Sequence, residues 1–298
     1  MRTWDGGVFV EPEQALTGTA RRCKILPRVC CDALPKVETK EEKRLGPSVT
    51  FQRAIRIGTT PPFPTNNSSS KNVRCVYNYN DKFQFRRILL ATDLSFDSHF
   101  ESGNLFSAHR REIDSTSFAE YDLILHHDVH SAGHIQWFNF SVSNTIAGMS
   151  VKFHIGNFTK KGSLFDNGMK PLFFSKIKGN FWTRTGGSEI SYLPSQKLKK
   201  KIIYTLTFTH VFEHNGDTCA FAACYPYTYS YLLEYLTKCQ IDKKRNVYFR
   251  RKLLCKTLGG NRCELLTITE PTAKLHELKK RLGVVISARV HPGETCSR

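Results

Sequence analysis

The chain has 298 residues, 40% of them hydrophobic and 23% charged, which is the composition of a globular protein and excludes fibrous, collagen-like and wholly disordered classes. No window holds the roughly 18 uncharged apolar residues that a membrane-spanning helix needs, and the first residues lack the apolar segment of a secretory signal, so we expect a soluble protein of the cytosol. The 44 Lys and Arg against 26 Asp and Glu give a net charge of +18, which favours acidic partners such as nucleic acid, acidic lipid surfaces or acidic peptides.

Residues 1–71 form the first segment, which we predict to be a largely disordered leader. It ends in the stretch Gly58–Lys71, GTTPPFPTNNSSSK, whose Pro, Asn and Ser residues are typical of a linker. The charged stretch Lys36–Arg44 lacks the apolar period that a helix or a strand would show. We therefore place the start of the first folded domain at residue 72.

Residues 72–200 show the two-residue period of antiparallel β-strands. Apolar and polar side chains alternate in several short runs, and turn signals such as Asp166-Asn167-Gly168 separate them. The apolar positions of three such runs are Tyr121, Leu123 and Leu125, then Phe138, Phe140 and Val142, then Val151, Phe153 and Ile155. This pattern predicts an amino-terminal β-sandwich in which each sheet buries one face and exposes the other.

Residues 201–298 are predicted to begin a second domain, of the α/β class. Tyr204–Phe212 alternates as a long strand, whereas Tyr229–Leu236 has the apolar spacing of a helix, with Thr228 as its N-cap. Leu265–Thr269 is predicted to be a strand, and the continuous apolar run Val284–Ala288 is typical of a buried parallel strand. A stretch of 98 residues is short for a doubly wound domain, so we expect this domain to be incomplete at the end of the chain.

The sharpest candidate site follows that apolar run, in the sequence Arg289-Val290-His291-Pro292-Gly293-Glu294. Open α/β sheets bind ligands beyond the carboxyl ends of their strands, and Pro-Gly favours a tight turn that brings Glu294 back beside His291. An imidazole and a carboxylate together suit Zn²⁺, although a catalytic zinc commonly takes three protein ligands. On spacing alone, a surface turn with an ion pair remains the alternative interpretation.

Six motifs in order give the chain its resemblance to a known family. They are Phe100-Glu101-Ser102-Gly103-Asn104-Leu105, His134-Ile135-Gln136-Trp137-Phe138, Asn167-Gly168-Met169-Lys170-Pro171-Leu172, Cys224-Tyr225-Pro226-Tyr227-Thr228-Tyr229-Ser230, Leu266-Thr267-Ile268-Thr269 and Ala288-Arg289-Val290-His291-Pro292-Gly293-Glu294. With this set the chain resembles the cytosolic carboxypeptidases, a branch of the zinc metallocarboxypeptidases, over residues 96–297. It is most similar to the branch called ATP/GTP-binding protein, yet it has no G-x-x-x-x-G-K-[ST] loop for a nucleotide.

The resemblance implies a β-sandwich domain packed against a zinc-carboxypeptidase domain. His291 and Glu294 fall on the family's first two zinc ligands, and Arg289 is a neighbour that would orient them. The family's third ligand, its substrate-binding arginines and its catalytic glutamate all lie further along than Arg298, so we expect the chain as written to be inactive. Family substrates include the glutamate-rich tails of tubulin, and the implied activity is removal of C-terminal glutamates from acidic protein tails.

Other patterns have simpler interpretations. His126-His127-Asp128-Val129-His130 and His134 are expected to be polar turn residues, the run Tyr225–Tyr231 a packed helix entry, and Gly259-Gly260-Asn261 a turn between strands. The ten cysteines show no C-x-x-C spacing, so we expect free thiols and neither a disulfide framework nor a zinc–thiolate cluster. Two alternatives to a peptidase stay open: a non-catalytic basic module that binds acidic tails or a protein partner, and, less favoured, a general nucleic-acid binder.

Overall fold

A computed structural model describes residues 73–81, 90–111, 118–129, 131, 134–179, 181–185, 187, 189–198, 201–272, 274–291 and 293–295. The predicted leader, residues 1–71, lies outside this range. Eleven strands of the described chain form two sheets: β1 (Val73–Asn78), β2 (Ser95–Asp97), β3 (Leu105–Arg111), β4 (Phe118–Leu125), β5 (Asn139–Ser143), β6 (Ser150–Phe158), β7 (Leu172–Ser175), β8 (Thr183–Arg184), β9 (Ile190–Leu198), β10 (Lys201–Val211) and β11 (Cys219–Ala222). A short 3₁₀ helix, Leu164–Asn167, precedes β7.

The first sheet has six strands in the order β1-β3-β4-β6-β10-β9. Four of its five neighbouring pairs are antiparallel, and the pair β4–β6 is parallel, with Tyr121 opposite Phe153. Beyond the last residue pair of β4 and β6, the Asn157 side chain makes the two hydrogen bonds to the backbone of Leu125 that a residue of a neighbouring strand would make. Its Oδ1 accepts from the Leu125 amide at 3.0 Å and its Nδ2 donates to the Leu125 carbonyl at 2.8 Å. Both buried backbone groups of Leu125 are thereby satisfied.

The second sheet has five strands in the order β2-β5-β11-β7-β8. Its central strand, β11, pairs antiparallel with β5 on one side and β7 on the other, so that Phe221 lies between Phe140 and Phe173. The chain passes repeatedly from one sheet to the other. For example, β5 belongs to the second sheet although β4 and β6, which precede and follow it, are neighbours in the first.

The hydrophobic core lies between the inner faces of these two sheets. Phe153 of the first sheet has its ring 5.7 Å from that of Phe140 and 5.1 Å from that of Phe221, both of the second sheet. The apolar positions of the three alternating runs are all buried, as the period of two predicts. The predicted inward face of Tyr204–Phe212 is buried as well, so these strand predictions are confirmed.

The chain beyond residue 223 is built differently. Helix α1 (Tyr229–Ile241) begins at the predicted N-cap, because the Thr228 hydroxyl accepts from the Tyr231 amide at 3.1 Å. A two-stranded hairpin follows, β12 (Phe249–Lys256) and β13 (Arg262–Ile268), joined by the predicted turn at Gly259-Gly260-Asn261. A short helix, α2 (Leu275–Lys280), comes last. None of the described helices has the length and apolar character needed to cross a membrane.

The structure departs from the sequence-based prediction at two places. The predicted domain start at residue 201 lies inside the first sheet, where β10 pairs with β9 and β6, so the two-sheet body continues to Ala223. The predicted buried strand Val284–Ala288 is wrong. Its residues form no strand, and Val285 is 94% exposed. A strand needs at least one partner for its backbone hydrogen bonds, and no described strand lies beside this run.

Candidate functional site

The predicted metal ligands lie side by side in a tight turn. The Nδ1 atom of His291 is 2.9 Å from Oε1 of Glu294, and the Glu294 amide donates to the His291 carbonyl at 3.3 Å. The hydrogen bond from His291 lowers the pKa of the Glu294 carboxyl, with the His291 backbone amide as a second donor. The His291 side chain is 72% exposed, so the open side of its ring faces solvent.

Gly293 allows this turn to lie against the two-sheet body. Its φ is +75°, a conformation that residues with a side chain rarely adopt. A methyl group added there would lie 3.2 Å from Cβ of Trp137 and 3.3 Å from Cβ of Gln136. The glycine of the His-Pro-Gly-Glu sequence is therefore the point at which the turn contacts the His134–Phe138 motif.

Arg289 connects the same turn to the segment before α1. Its guanidinium donates to the Tyr227 carbonyl at 3.2 Å and lies over the Tyr227 ring, 5.2 Å from the ring centre. Its backbone has a φ of +54°, which turns the chain sharply just ahead of His291. The sequence analysis expected Arg289 to orient the predicted ligands. In the structure its contacts to Tyr227 position the start of the turn that carries His291 and Glu294.

Trp137 is itself held by the Phe100–Leu105 motif. Its indole donates to the Ser102 carbonyl at 2.8 Å, and the Asn104 side chain donates to the Trp137 carbonyl at 2.7 Å. Asn104 Oδ1 also accepts from the Asn139 amide at 3.0 Å. At Gly103 a methyl group would collide with the Ser98 carbonyl, so this motif requires glycine for a close backbone approach.

Glu101 of that motif reaches α1 directly. Its Oε1 accepts from the Ser230 amide at 2.8 Å, across 129 residues of sequence, and a carboxylate at a helix N-terminus is favourable for the helix dipole. Sequence analysis did not identify this contact, because nothing in the local pattern at Glu101 indicates a partner so far along the chain.

A cleft of about 460 Å³ opens next to the turn. Gly293 and Thr295 line it on the side of the turn. Ile135 and Gln136 of the His134–Phe138 motif and Asn167 and Met169 of the Asn167–Leu172 motif line the other side. Cys224 of the fourth motif lines it too, and Arg184 lies 6.0 Å from the centre of the neighbouring Tyr225 ring. Four of the six motifs therefore meet around this cleft and turn, and a fifth, Phe100–Leu105, holds Trp137 from behind.

The donor set of the turn fits part of a zinc site. Two donors of one tetrahedral zinc, each about 2.0–2.1 Å from it, lie about 3.3 Å apart, so the 2.9 Å between Nδ1 and Oε1 needs only a small opening. Within the described ranges, no three His, Cys, Asp or Glu residues gather into a metal-binding group. The described chain therefore offers zinc two protein donors, where a catalytic site commonly has three.

The described members of the earlier histidine set, His126, His127 and His134, are not part of any group of three or more potential metal ligands. The His126 ring is packed edge-on against Tyr79 and Phe106, and burial lowers its pKa to about 4. Partial burial raises the pKa of Asp128, and the Asp128 amide donates to the His134 carbonyl at 3.0 Å. His130 lies outside the described residues. The prediction of polar turn residues fits Asp128 and His134, whereas His126 is a packing residue among aromatic rings.

Comparison with known proteins gives the same family as the motifs. Residues 96–223 match the family described as the cytosolic carboxypeptidase N-terminal domain. The chain is 40% identical over 226 residues to "Cytosolic carboxypeptidase 2" of Xenopus tropicalis, an alignment that covers 74% of this chain and 22% of that protein. It is 41% identical over 208 residues to "Cytosolic carboxypeptidase 3" of Bos taurus, covering 68% and 20%.

The chain thus spans about a fifth of the length of these two relatives. Among solved structures, it is similar to a metallo-carboxypeptidase from Burkholderia cenocepacia, at 18% identity and a TM-score of 0.42, over 61% of this chain and 41% of that one. A putative carboxypeptidase from Burkholderia mallei gives 18% identity and a TM-score of 0.43, over 65% and 42%.

Proposed function

Because this chain belongs to the cytosolic carboxypeptidase family through its amino-terminal domain, we propose that it is part of a zinc metallocarboxypeptidase. In this proposal the two-sheet body is the family's amino-terminal β-sandwich, and the residues after it begin the catalytic domain. The observation that carries the proposal is the turn that sets His291 Nδ1 beside Glu294 Oε1, against the Trp137 segment.

His291 and Glu294 would hold the zinc through one imidazole nitrogen and one carboxylate oxygen. Bound zinc supplies Lewis-acid chemistry, which activates water and polarises a peptide carbonyl. The chain's own residues do the positioning. Gly293 lets the turn lie on Trp137, and Arg289 fixes the start of the turn to Tyr227. In this proposal a third ligand and a general base lie outside the described residues.

The proposed substrates are acidic protein tails from which C-terminal glutamates are removed, with tubulin as the first to test. The net charge of +18 supports an acidic substrate, because a positive field raises the local concentration of anionic tails. We propose a cytosolic location, in line with the names of the relatives, and we propose neither a membrane nor nucleic acid as partner.

Zinc affinity tests the proposal on the 298-residue chain. We expect His291→Ala and Glu294→Gln each to weaken zinc binding by at least tenfold, measured by competition with a coloured chelator, because each removes one of two donors. His276→Ala is the matched control, since His276 is an exposed histidine on α2 outside the turn. Equal zinc affinity in the wild type and both ligand variants would overturn the proposed site.

A second function is favoured by the same two-donor observation. With only two described donors, the chain by itself would act as a basic module that binds acidic tails without cleaving them. Glutamate release from a peptide ending in a run of glutamates separates the two functions. Release that depends on zinc and on His291 supports the peptidase. Binding that His291→Ala leaves intact, without release, supports the module, and equal competition by RNA argues against both.

A further inference from the structure

The hairpin of β12 and β13 places two cysteines directly opposite each other. Cys255 pairs with Cys263 in the antiparallel register, one step from the pair Lys256–Arg262 that closes the ladder. We propose that Cys255 and Cys263 form a redox-active dithiol, which a small anionic disulfide of the glutathione class oxidises reversibly to an intramolecular disulfide. This modification site is independent of the zinc turn.

The geometry of the ladder suits a disulfide. Directly opposed residues of an antiparallel pair have their Cα atoms about 4.5–5.5 Å apart and their side chains on the same face. Disulfides span Cα separations of about 4.4–6.8 Å, so the two thiols can join with the backbone left in its present register. Contact with Cys255 also contributes to a raised pKa of Cys263, after partial burial as the larger cause.

The turn of the hairpin fixes the register that this bond needs. The Thr257 amide donates to the Asn261 carbonyl at 2.8 Å, the Asn261 amide donates to the Thr257 hydroxyl at 3.1 Å, and Gly260 takes a φ of +83°. From the helix side, the Tyr229 hydroxyl donates to the Arg262 carbonyl at 3.2 Å and accepts from the Arg262 amide at 3.1 Å. A slip of one residue would put the two thiols on opposite faces, and these four bonds oppose it.

The surroundings give a small anionic oxidant access and attraction. Cys255 is the one exposed cysteine among the six that the structure describes, and Cys263 is half-buried. The two strands carry a single acidic residue, Glu264, and five basic residues: Arg250, Arg251, Lys252, Lys256 and Arg262. Such a positive surface attracts a negatively charged disulfide and raises its local concentration beside Cys255.

The reaction is a thiol–disulfide exchange in two balanced steps. The thiolate of the exposed Cys255 attacks one sulfur of the small disulfide, forming a mixed disulfide and releasing one small thiolate. The thiolate of Cys263 then attacks Sγ of Cys255, forming the Cys255–Cys263 bond and releasing the second small thiolate. The two protein thiols lose two electrons, the small disulfide gains them, and the two protons end on the released thiols. A small thiol reverses both steps.

Peptide mass mapping tests the proposal on the 298-residue chain. The protein is equilibrated with oxidised glutathione near neutral pH, its free thiols are alkylated, and trypsin is added. Trypsin cuts after Lys256 and Arg262, so Cys255 leaves in the peptide 253–256 and Cys263 in the peptide 263–274. We expect these two peptides joined, about 2 Da lighter than the sum of the reduced pair, and separate again after treatment with reduced glutathione.

Three variants make the result decisive. Cys263→Ser removes the resolving thiol, so we expect Cys255 to keep a glutathione adduct of about 305 Da. Cys255→Ser removes the attacking thiol, so we expect Cys263 to stay a free thiol during oxidation and to be recovered in its alkylated form. Cys75→Ser, the control, should form the joined peptides as the wild type does. The proposal is overturned if Cys255 pairs with another cysteine, if the bond forms between two copies of the chain, or if both thiols stay alkylated throughout.

Discussion

His210 makes the two-sheet body sensitive to acid. It faces the core from β10, is 5% exposed, and has its ring 4.1 Å from that of Phe173 and 5.2 Å from that of Phe221. Neither ring nitrogen has a hydrogen-bond partner in the described chain. Burial lowers the pKa of His210 to about 4, with opposing smaller influences from Glu213 and Lys178. The folded protein therefore holds this imidazole neutral, whereas the unfolded chain protonates it near pH 6.5.

The sign and size of the effect follow from proton linkage. As pH falls below about 6.5 the unfolded state binds a proton that the native state binds only near pH 4, so stability is lost across this window. At pH 4.5 the loss from His210 alone is about 2–3 kcal/mol, because one pKa unit corresponds to about 1.4 kcal/mol. We expect His210→Phe to remove this loss, since the variant keeps an aromatic ring in the same cluster and carries no titrating group.

Urea unfolding of both proteins at a series of pH values between 7.5 and 4.5 measures this difference. The free energy of unfolding of the wild type should fall by about 2–3 kcal/mol more than that of His210→Phe. Any packing cost of the larger ring appears at every pH and cancels in the comparison. The contribution of His126, whose pKa burial also lowers, is the same in both proteins and cancels as well. Parallel curves for the two proteins would refute the argument.

Three further predictions concern single contacts. Gly293→Ala puts a side chain in the left-handed backbone region against Trp137, at a cost of about 1–2 kcal/mol. We expect zinc affinity to fall about tenfold, and an unchanged affinity would contradict the role of Gly293 in the turn. Thr228→Ala should cost α1 about 1 kcal/mol, seen as faster amide exchange in its first turn, with Thr237→Ala as a same-helix control that leaves that turn unaffected. Asp217→Asn should lower the free energy of unfolding by about 2 kcal/mol, because the buried carboxylate accepts from the Ser175 hydroxyl at 2.5 Å and from the Ile177 amide at 3.1 Å. A change below about 0.5 kcal/mol would refute a stabilising role for these two hydrogen bonds.

The strands were predictable where one face is buried and the other is wet. The alternation at Tyr121, Leu123 and Leu125 gives the buried face of β4, because side chains alternate along a strand. Alternation gives no information about the partner strand, so the pairing of β10 with β6 was not foreseen and the domain boundary was placed too early. The run Val284–Ala288 failed for a related reason: apolar composition predicts burial only where other strands supply the cover.

In the candidate site, too, the local features were predictable from the sequence and the contacts between distant segments were not. His291 and Glu294 are three residues apart, and a Pro-Gly turn between them is a local feature that the sequence shows directly. The supports of the turn come from distant segments, such as Glu101 at Ser230 and Asn104 at Trp137, and only the folded chain brings these together. The opposition of Cys255 and Cys263 likewise depends on a register that a hairpin turn sets and composition does not.

The position of β11 has a consequence for the order of events during synthesis. This strand separates β5 from β7 in the second sheet, yet it is the last of the eleven strands to leave the ribosome. Until residues 219–222 emerge, β5 and β7 have no partner between them, and Phe140 and Phe173 lack the Phe221 ring that packs against both. Non-local closure of this kind is slow, and the unpaired edges stay exposed meanwhile. We therefore expect the second sheet to close late, when its central strand is inserted.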